Sequence, residues 1–121
     1  MSGELSTDAR ELVLYTENTG ELYNQKKSIL ENVRRRVRNG TYDHAKAPAL
    51  WQYWVDAGAK RYRKEFGTPG APIFPLVVRK EAAAYFANEE FKQLMAGDYG
   101  PPPALDAKLI ARRQKGRPPA P

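Results

Sequence analysis

Apolar residues recur along three stretches of the chain at helical spacing, and polar, glycine-rich or proline-rich segments separate them. Leu22, Ile29, Leu30, Val33 and Val37 fall on one stripe at about 100° per residue, which predicts a core-facing helix. Asn18-Thr19-Gly20-Glu21 matches a helix start, with Asn18 as cap and Glu21 reaching back to the cap amide. Asn39-Gly40 predicts the end of this helix, because glycine readily takes the left-handed conformation that closes one.

A second helix is predicted from Asp43 as cap to Phe66, with Gly67 as terminator. Its inward stripe is Ala47, Trp51, Trp54, Val55, Gly58, Tyr62 and Phe66. Pro48 would remove an early backbone bond, which makes Ala47 an alternative start. After the turn-rich "GTPGAPIFP", Pro75 suits the first position of a third helix spanning about residues 76–96, with Val77, Val78, Ala82, Tyr85, Phe86, Phe91 and Leu94 on its buried side. Asn88-Glu89-Glu90 resembles a fresh start with acids in the first turn and predicts a break there. "TDARELVLYTE" fits a short N-terminal helix capped by Asp8 with Glu11 and also an extended segment; the helix is the preferred reading.

The fold expected is therefore all-α: a bundle of three main helices, with a short N-terminal one, over residues 1–98. Residues 99–121 follow as a flexible basic, proline-rich tail, disordered by composition. Within that tail proline brackets a short segment capped by Asp106 and ended by Gly116, too short to be a stable helix alone.

A chain of 121 residues supports one domain with a real core. The absence of cysteine excludes disulfides, thiolate zinc sites and cysteine nucleophiles and suits a reducing compartment. The N-terminus has acids where a secretory signal needs bases, and no apolar run approaches a membrane span, so a cytoplasmic protein is expected. The formal net charge of +6 is uneven. Residues 22–64 carry eleven bases and three acids, and residues 107–121 five bases and no acid, whereas the segments before and between are acidic. Two basic blocks of this kind suit a polyanionic partner.

Two blocks offer candidate contacts. On the helix that carries "NVRRRVRNGTYD", Lys27, Arg34 and Arg38 share a flank, Arg36 lies on the opposite flank, and Arg35 faces outward and pairs with Glu31 four residues earlier. The flank suits phosphate contacts; a solvated helix end whose arginines complement the helix dipole is the plain alternative. In "KRYRKEF", Lys60 and Lys64 share a flank with Tyr53, beside Trp54 and Arg61, an arrangement suited to stacking combined with phosphate contact. An ordinary core boundary explains the same pattern. In the tail, Lys108, Arg112, Arg113, Lys115 and Arg117 interleave with Leu105, Leu109 and Ile110, a composition for wrapping a nucleic acid or an acidic protein groove.

Catalytic chemistry has little support. His44 follows Asp43, but a capping Asp43 leaves the histidine without an orienting partner, and no nucleophile lies nearby. A lone histidine without cysteine makes no ordinary zinc site, and no calcium loop or glycine-rich phosphate loop occurs.

The runs "YTENTGELYNQKKSILENV", "NGTYDHAKAPALWQYWVDAGAKRYRKEF" and "VVRKEAAAYF" together resemble a family of small helical proteins encoded by bacteriophages and other mobile elements. The matching positions are Asn18, Leu22, Tyr23, Gly40, Tyr42, Asp43, Ala47, Ala59, Lys60, Tyr62 and Phe66, within residues 15–95; Pro48 departs from the pattern. The resemblance implies a helical fold and a phage or plasmid setting, and carries over no catalytic residue.

These readings combine into one expectation: a non-enzymatic protein, without cofactor or metal, that binds nucleic acid with little sequence preference. Lys27, Arg34, Arg38, Lys60, Arg61 and Lys64 would meet phosphates, Tyr53 would stack, and Arg112, Arg113 and Lys115 would add contacts from the tail. The alternative partner is an acidic host or virion protein, docked by the aromatic helix face and the proline-rich tail. The setting is the cytoplasm of an infected or plasmid-bearing cell, or a virion.

Overall fold

The structure, a computed structural model, describes residues 5–67 and 74–115. Among these residues the chain forms five α-helices, α1 (Thr7–Glu17), α2 (Tyr23–Arg38), α3 (Ala47–Phe66), α4 (Leu76–Ala96) and α5 (Ala107–Lys115), with a 3-10 turn at Gly20–Leu22 and no strand. The all-α expectation holds, and α2, α3 and α4 are the three main helices. Most of "GTPGAPIFP", together with Gly116 and Arg117, lies outside the described residues.

The long helices form where the apolar stripe finds a partner, because propensity alone leaves helices of this length marginal in water. On α3 the predicted stripe is buried from Ala47 through Tyr62, while Phe66 at the end is 46% exposed. This stripe packs against α4, and α1 lies across both. At the centre Trp51, Trp54 and Phe86 meet with ring centroids 4.8–6.1 Å apart, and the buried Trp54 indole donates to the Leu22 carbonyl at 2.8 Å. Where α1 crosses α3, Gly58 lies against the buried Thr16, whose hydroxyl donates to the Leu12 carbonyl at 2.7 Å.

The buried line of α4 keeps Ala82, Phe86 and Leu94 of the predicted one and adds Ala83, Ala87 and Glu90. Ala82, Ala83, Phe86, Ala87, Glu90 and Leu94 face inward, whereas Val77 is 72% exposed. Alanines on this line let α3 and α4 approach closely, which a valine-led face would prevent. Leu22 and Val33 of the α2 stripe are buried, but Ile29, Leu30 and Val37 are only partly so, and α2 is held more lightly than α1, α3 or α4.

Helix ends and starts behave differently. Gly40 (φ 78°) and Gly97 (φ 88°) both adopt the left-handed conformation. Thr41 N donates to Arg36 O at 2.8 Å and Asp98 N to Gln93 O at 3.0 Å, so both helices close in the same six-to-one pattern, as Gly40 predicted for α2.

The predicted side-chain caps at Asn18, Asp8 and Asp43 are corrected. Asn18 ends α1, and its side-chain amide donates to Leu14 O at 2.8 Å; α2 is entered through the 3-10 turn instead. Ser6, not Asp8, caps α1, accepting from Ala9 N at 3.2 Å, and its own amide and hydroxyl donate to Glu81 at 2.6 and 3.0 Å. Asp43 accepts from Ala45 N at 2.9 Å in a turn that precedes α3, which begins at the alternative start Ala47, where Pro48 lies in the first turn. Pro75 is the residue before α4 rather than its first. The predicted break near Asn88 does not occur, because Glu90 is drawn into the interior on the line of Phe86 and Leu94.

Candidate polyanion-binding surface

Residues 99–115 of the segment set apart as a tail rest on the C-terminal end of α2. Asp106 N donates to Arg38 O at 2.7 Å, and Arg38 Nη2 lies 3.0 Å from Asp106 Oδ2. The Asp106 carboxylate caps α5 as expected, accepting from Lys108 N at 3.0 Å and Leu109 N at 3.4 Å. Chiefly the Leu109 amide, then the Lys108 amide and the Arg38 guanidinium, hold this carboxyl below its ordinary value. The negative end of α2 thus meets the positive end of α5, with a cation on the first and an anion on the second, so both helix dipoles are complemented at one junction. Leu105 and Ile110 cover Gly40 from above; a Cβ there would lie 3.6 Å from Leu105 Cδ2 and 3.7 Å from Ile110 Cδ1.

This docking brings the arginines of α2 to the same end of the molecule as Lys108, Arg112 and Arg113 of α5, and α5 ends at Lys115. Lys108 and Arg112 are exposed and Arg113 is half-buried. Arg34 donates from Nη1 to Pro101 O at 2.7 Å and from Nη2 to Tyr99 O at 3.0 Å. Carbonyls do not neutralise a guanidinium, so its charge remains, with three of its five N–H donors left over. The predicted Glu31–Arg35 pair is corrected, since Arg35 reaches Asn32 Oδ1 at 3.3 Å and Arg36 Nε reaches the same oxygen at 2.9 Å. Arg35 therefore keeps an unneutralised charge. Lys27 is exposed, with its ammonium 5.1 Å from the Tyr23 ring centre.

Because Arg34 holds two tail carbonyls at once, Arg34→Ala is expected to free residues 99–115 while leaving the bundle folded. Limited trypsin digestion should then cut at Lys108, Arg112 or Arg113 about tenfold faster than in the parent, the ratio that loss of roughly 1.4 kcal/mol of local holding gives. Unchanged cleavage would mean that the Arg38–Asp106 contacts, the Tyr99–Glu90 bond and the apolar cover over Gly40 hold the tail without Arg34.

The α3 candidates form a separate surface. Tyr53 is 74% exposed, and Lys60 and Lys64 are exposed, but Trp54, expected beside them, is buried and adds nothing to that surface. Arg61 is paired with Glu21 of the 3-10 turn. The recess holding Arg61 and Lys64 contains no α2 residue, and the pocket holding Lys27 and Arg34 contains none from α3. The two basic flanks do not share a concave face.

A buried polar network escaped the reading of the sequence. Glu90 is 1% exposed; Lys26 Nζ lies 3.1 Å from its Oε1, and the Tyr99 hydroxyl donates to its Oε2 beside Gln93 Oε1 at 2.8 Å. Burial, then the Glu90 carboxylate, pushes the Tyr99 hydroxyl far above its ordinary value, so it stays a donor. The signal was present: Glu90 stands four residues from both Phe86 and Leu94, on the buried stripe.

His44 packs edge-on against Tyr42 and Phe91, with ring centroids 4.9 and 4.8 Å away. Among the described residues no group of three or more His, Asp or Glu side chains is arranged to hold a metal, and no helix is long and apolar enough to cross a membrane. No protein-family model, no curated protein and no solved structure matches the chain.

Proposed function

We propose that the protein binds nucleic acid through phosphate contacts at the basic end built by α2 and α5, and that it acts by binding rather than by catalysis. The observation that supports this reading is the seating of α5 on the end of α2, which places Lys108 in one recess with Arg34 and Arg38, while Arg112 and Arg113 follow on the same helix. Lys60, Arg61 and Lys64 are left out of that surface, because they lie on α3. The resemblance to phage and mobile-element proteins supplies the proposed setting, the cytoplasm of an infected or plasmid-bearing cell, or a virion.

Titration with salt tests the reading. Affinity for DNA or RNA should fall log-linearly with salt, by roughly 0.7 to 0.9 log units per log unit for each phosphate contact. Arg35→Gln should lower that slope by about one contact, whereas Lys60→Gln with Lys64→Gln should leave it unchanged. Absence of binding even at low salt would refute the proposal.

A second reading has its own support. Between α1 and α3 an open groove of about 800 Å³ carries Leu14 (53% exposed), Phe66 (46% exposed) and the rings of Tyr15 and Tyr62, a surface suited to a protein partner. That reading is favoured if a complex survives nuclease treatment in a pull-down.

A further inference from the structure

Beside the basic end, α2, Leu94 near the end of α4 and Tyr99 line a cavity of about 350 Å³. Its apolar lining is Leu30 and the fully buried Leu94, and the rings of Tyr23 and Tyr99 also line it. Tyr99 is fixed by its hydroxyl on Glu90 and by its carbonyl on Arg34. Tyr23 is 54% exposed and presents its ring to solvent. Lys27 and Arg34 supply positive charge at the same cavity, Lys26 is balanced by Glu90, and Glu31 offsets one of the remaining charges. Aromatic rings next to cations over an apolar floor are what an unpaired base with its phosphate requires; a paired base keeps its faces inside the duplex.

We propose that this cavity seats one unpaired nucleotide, its base against Tyr23 and Tyr99 and its phosphate at Lys27 and Arg34, so that the protein prefers single strands to duplex. The proposal rests on the nucleic-acid reading above and names its substrate class. Lys27 is exposed and, among the described residues, paired with no acid, so its ammonium is free to leave the Tyr23 ring for a phosphate. Arg34 joins the cavity to the α2–α5 surface, since it lines both this cavity and the recess formed with the tail prolines.

The test is fluorescence anisotropy at one fixed low salt concentration, with the full chain, labelled oligo(dT) of about twelve nucleotides and a labelled duplex of equal length. The parent should bind oligo(dT) about tenfold more tightly than duplex, and Tyr23→Ala should remove most of that margin while changing duplex affinity less than about twofold. Tyr23→Trp should restore the margin, because it keeps a stacking face, and circular dichroism should show that each variant remains folded. Equal binding of both probes by the parent, or an unchanged margin in Tyr23→Ala, would overturn the cavity assignment and leave the phosphate-binding surface standing. Failure of the parent to bind either probe would overturn both.

Discussion

Gly58→Ala is expected to lower stability by about 3 kcal/mol, at the upper end for overpacking a close-packed core. That loss corresponds to roughly 10 °C in melting temperature for a chain of this size. The reason is local and steric. A Cβ on Gly58 would fall well inside van der Waals contact with the Thr16 hydroxyl and 3.0 Å from Thr16 Cγ2. Thr16 is completely buried and its hydroxyl is bound to Leu12 O, so it has no direction in which to turn away. Relief requires α1 to move off α3, which opens contacts along the whole crossing. The reciprocal exchange checks this cause. Thr16→Gly with Gly58→Ala restores the space and leaves the helices with the same number of glycines, so most of the loss should be recovered in thermal unfolding. A double variant no more stable than Gly58→Ala alone would show that the crossing is not where the strain lies.

Lys26→Met should cost a comparable amount, about 3 kcal/mol, by a different mechanism. It leaves the Glu90 carboxylate in the interior without its cation, and removing one partner of a buried pair is far more costly than removing both. Methionine occupies nearly the volume of the lysine stem, so lost packing contributes little. Adding Glu90→Gln should return most of the stability, because the amide carries no charge and its oxygen still accepts from Tyr99. Urea unfolding of the parent, both single variants and the double variant completes the cycle. If Lys26→Met alone is harmless, water reaches Glu90 and the pair is not an interior one.

What the sequence revealed and what it concealed divide along a physical line. The α3 stripe from Ala47 to Tyr62 was readable because every member is apolar or small and recurs at the helical period. Gly40 was readable because a left-handed residue after a helix has few alternatives to glycine. Caps were not. Asn18 and Glu21 satisfy a four-residue pattern that takes no account of the helix arriving from before it, and that arrival commits the Asn18 amide to Leu14 O. On α4, the reading found Ala82, Phe86 and Leu94 but gave the valines a buried place that Ala83 and Ala87 hold, and the dipeptide Glu89-Glu90 suggested a helix start in place of a buried carboxylate. Of the candidate site, the sequence supplied the basic runs and the Asp106 cap of α5. It did not show that α5 rests on α2, because the contacts of Arg34 and Arg38 join residues 65 to 68 positions apart and have no local periodicity.

The Tyr99 hydroxyl changes the meaning of the apparent boundary after residue 98. By composition the glycine and proline that follow invite a cut there, with everything beyond treated as an appendage. Tyr99, the first residue past the cut, sets its hydroxyl on the interior carboxylate of α4, and its backbone oxygen is one of the two that anchor Arg34. A shortened chain would keep all four bundle helices and yet leave Glu90 with Lys26 as its sole companion, so the stretch after Asp98 is in part an outlying piece of the core. For any engineered version, a cut at the glycine where the composition changes would remove part of that core.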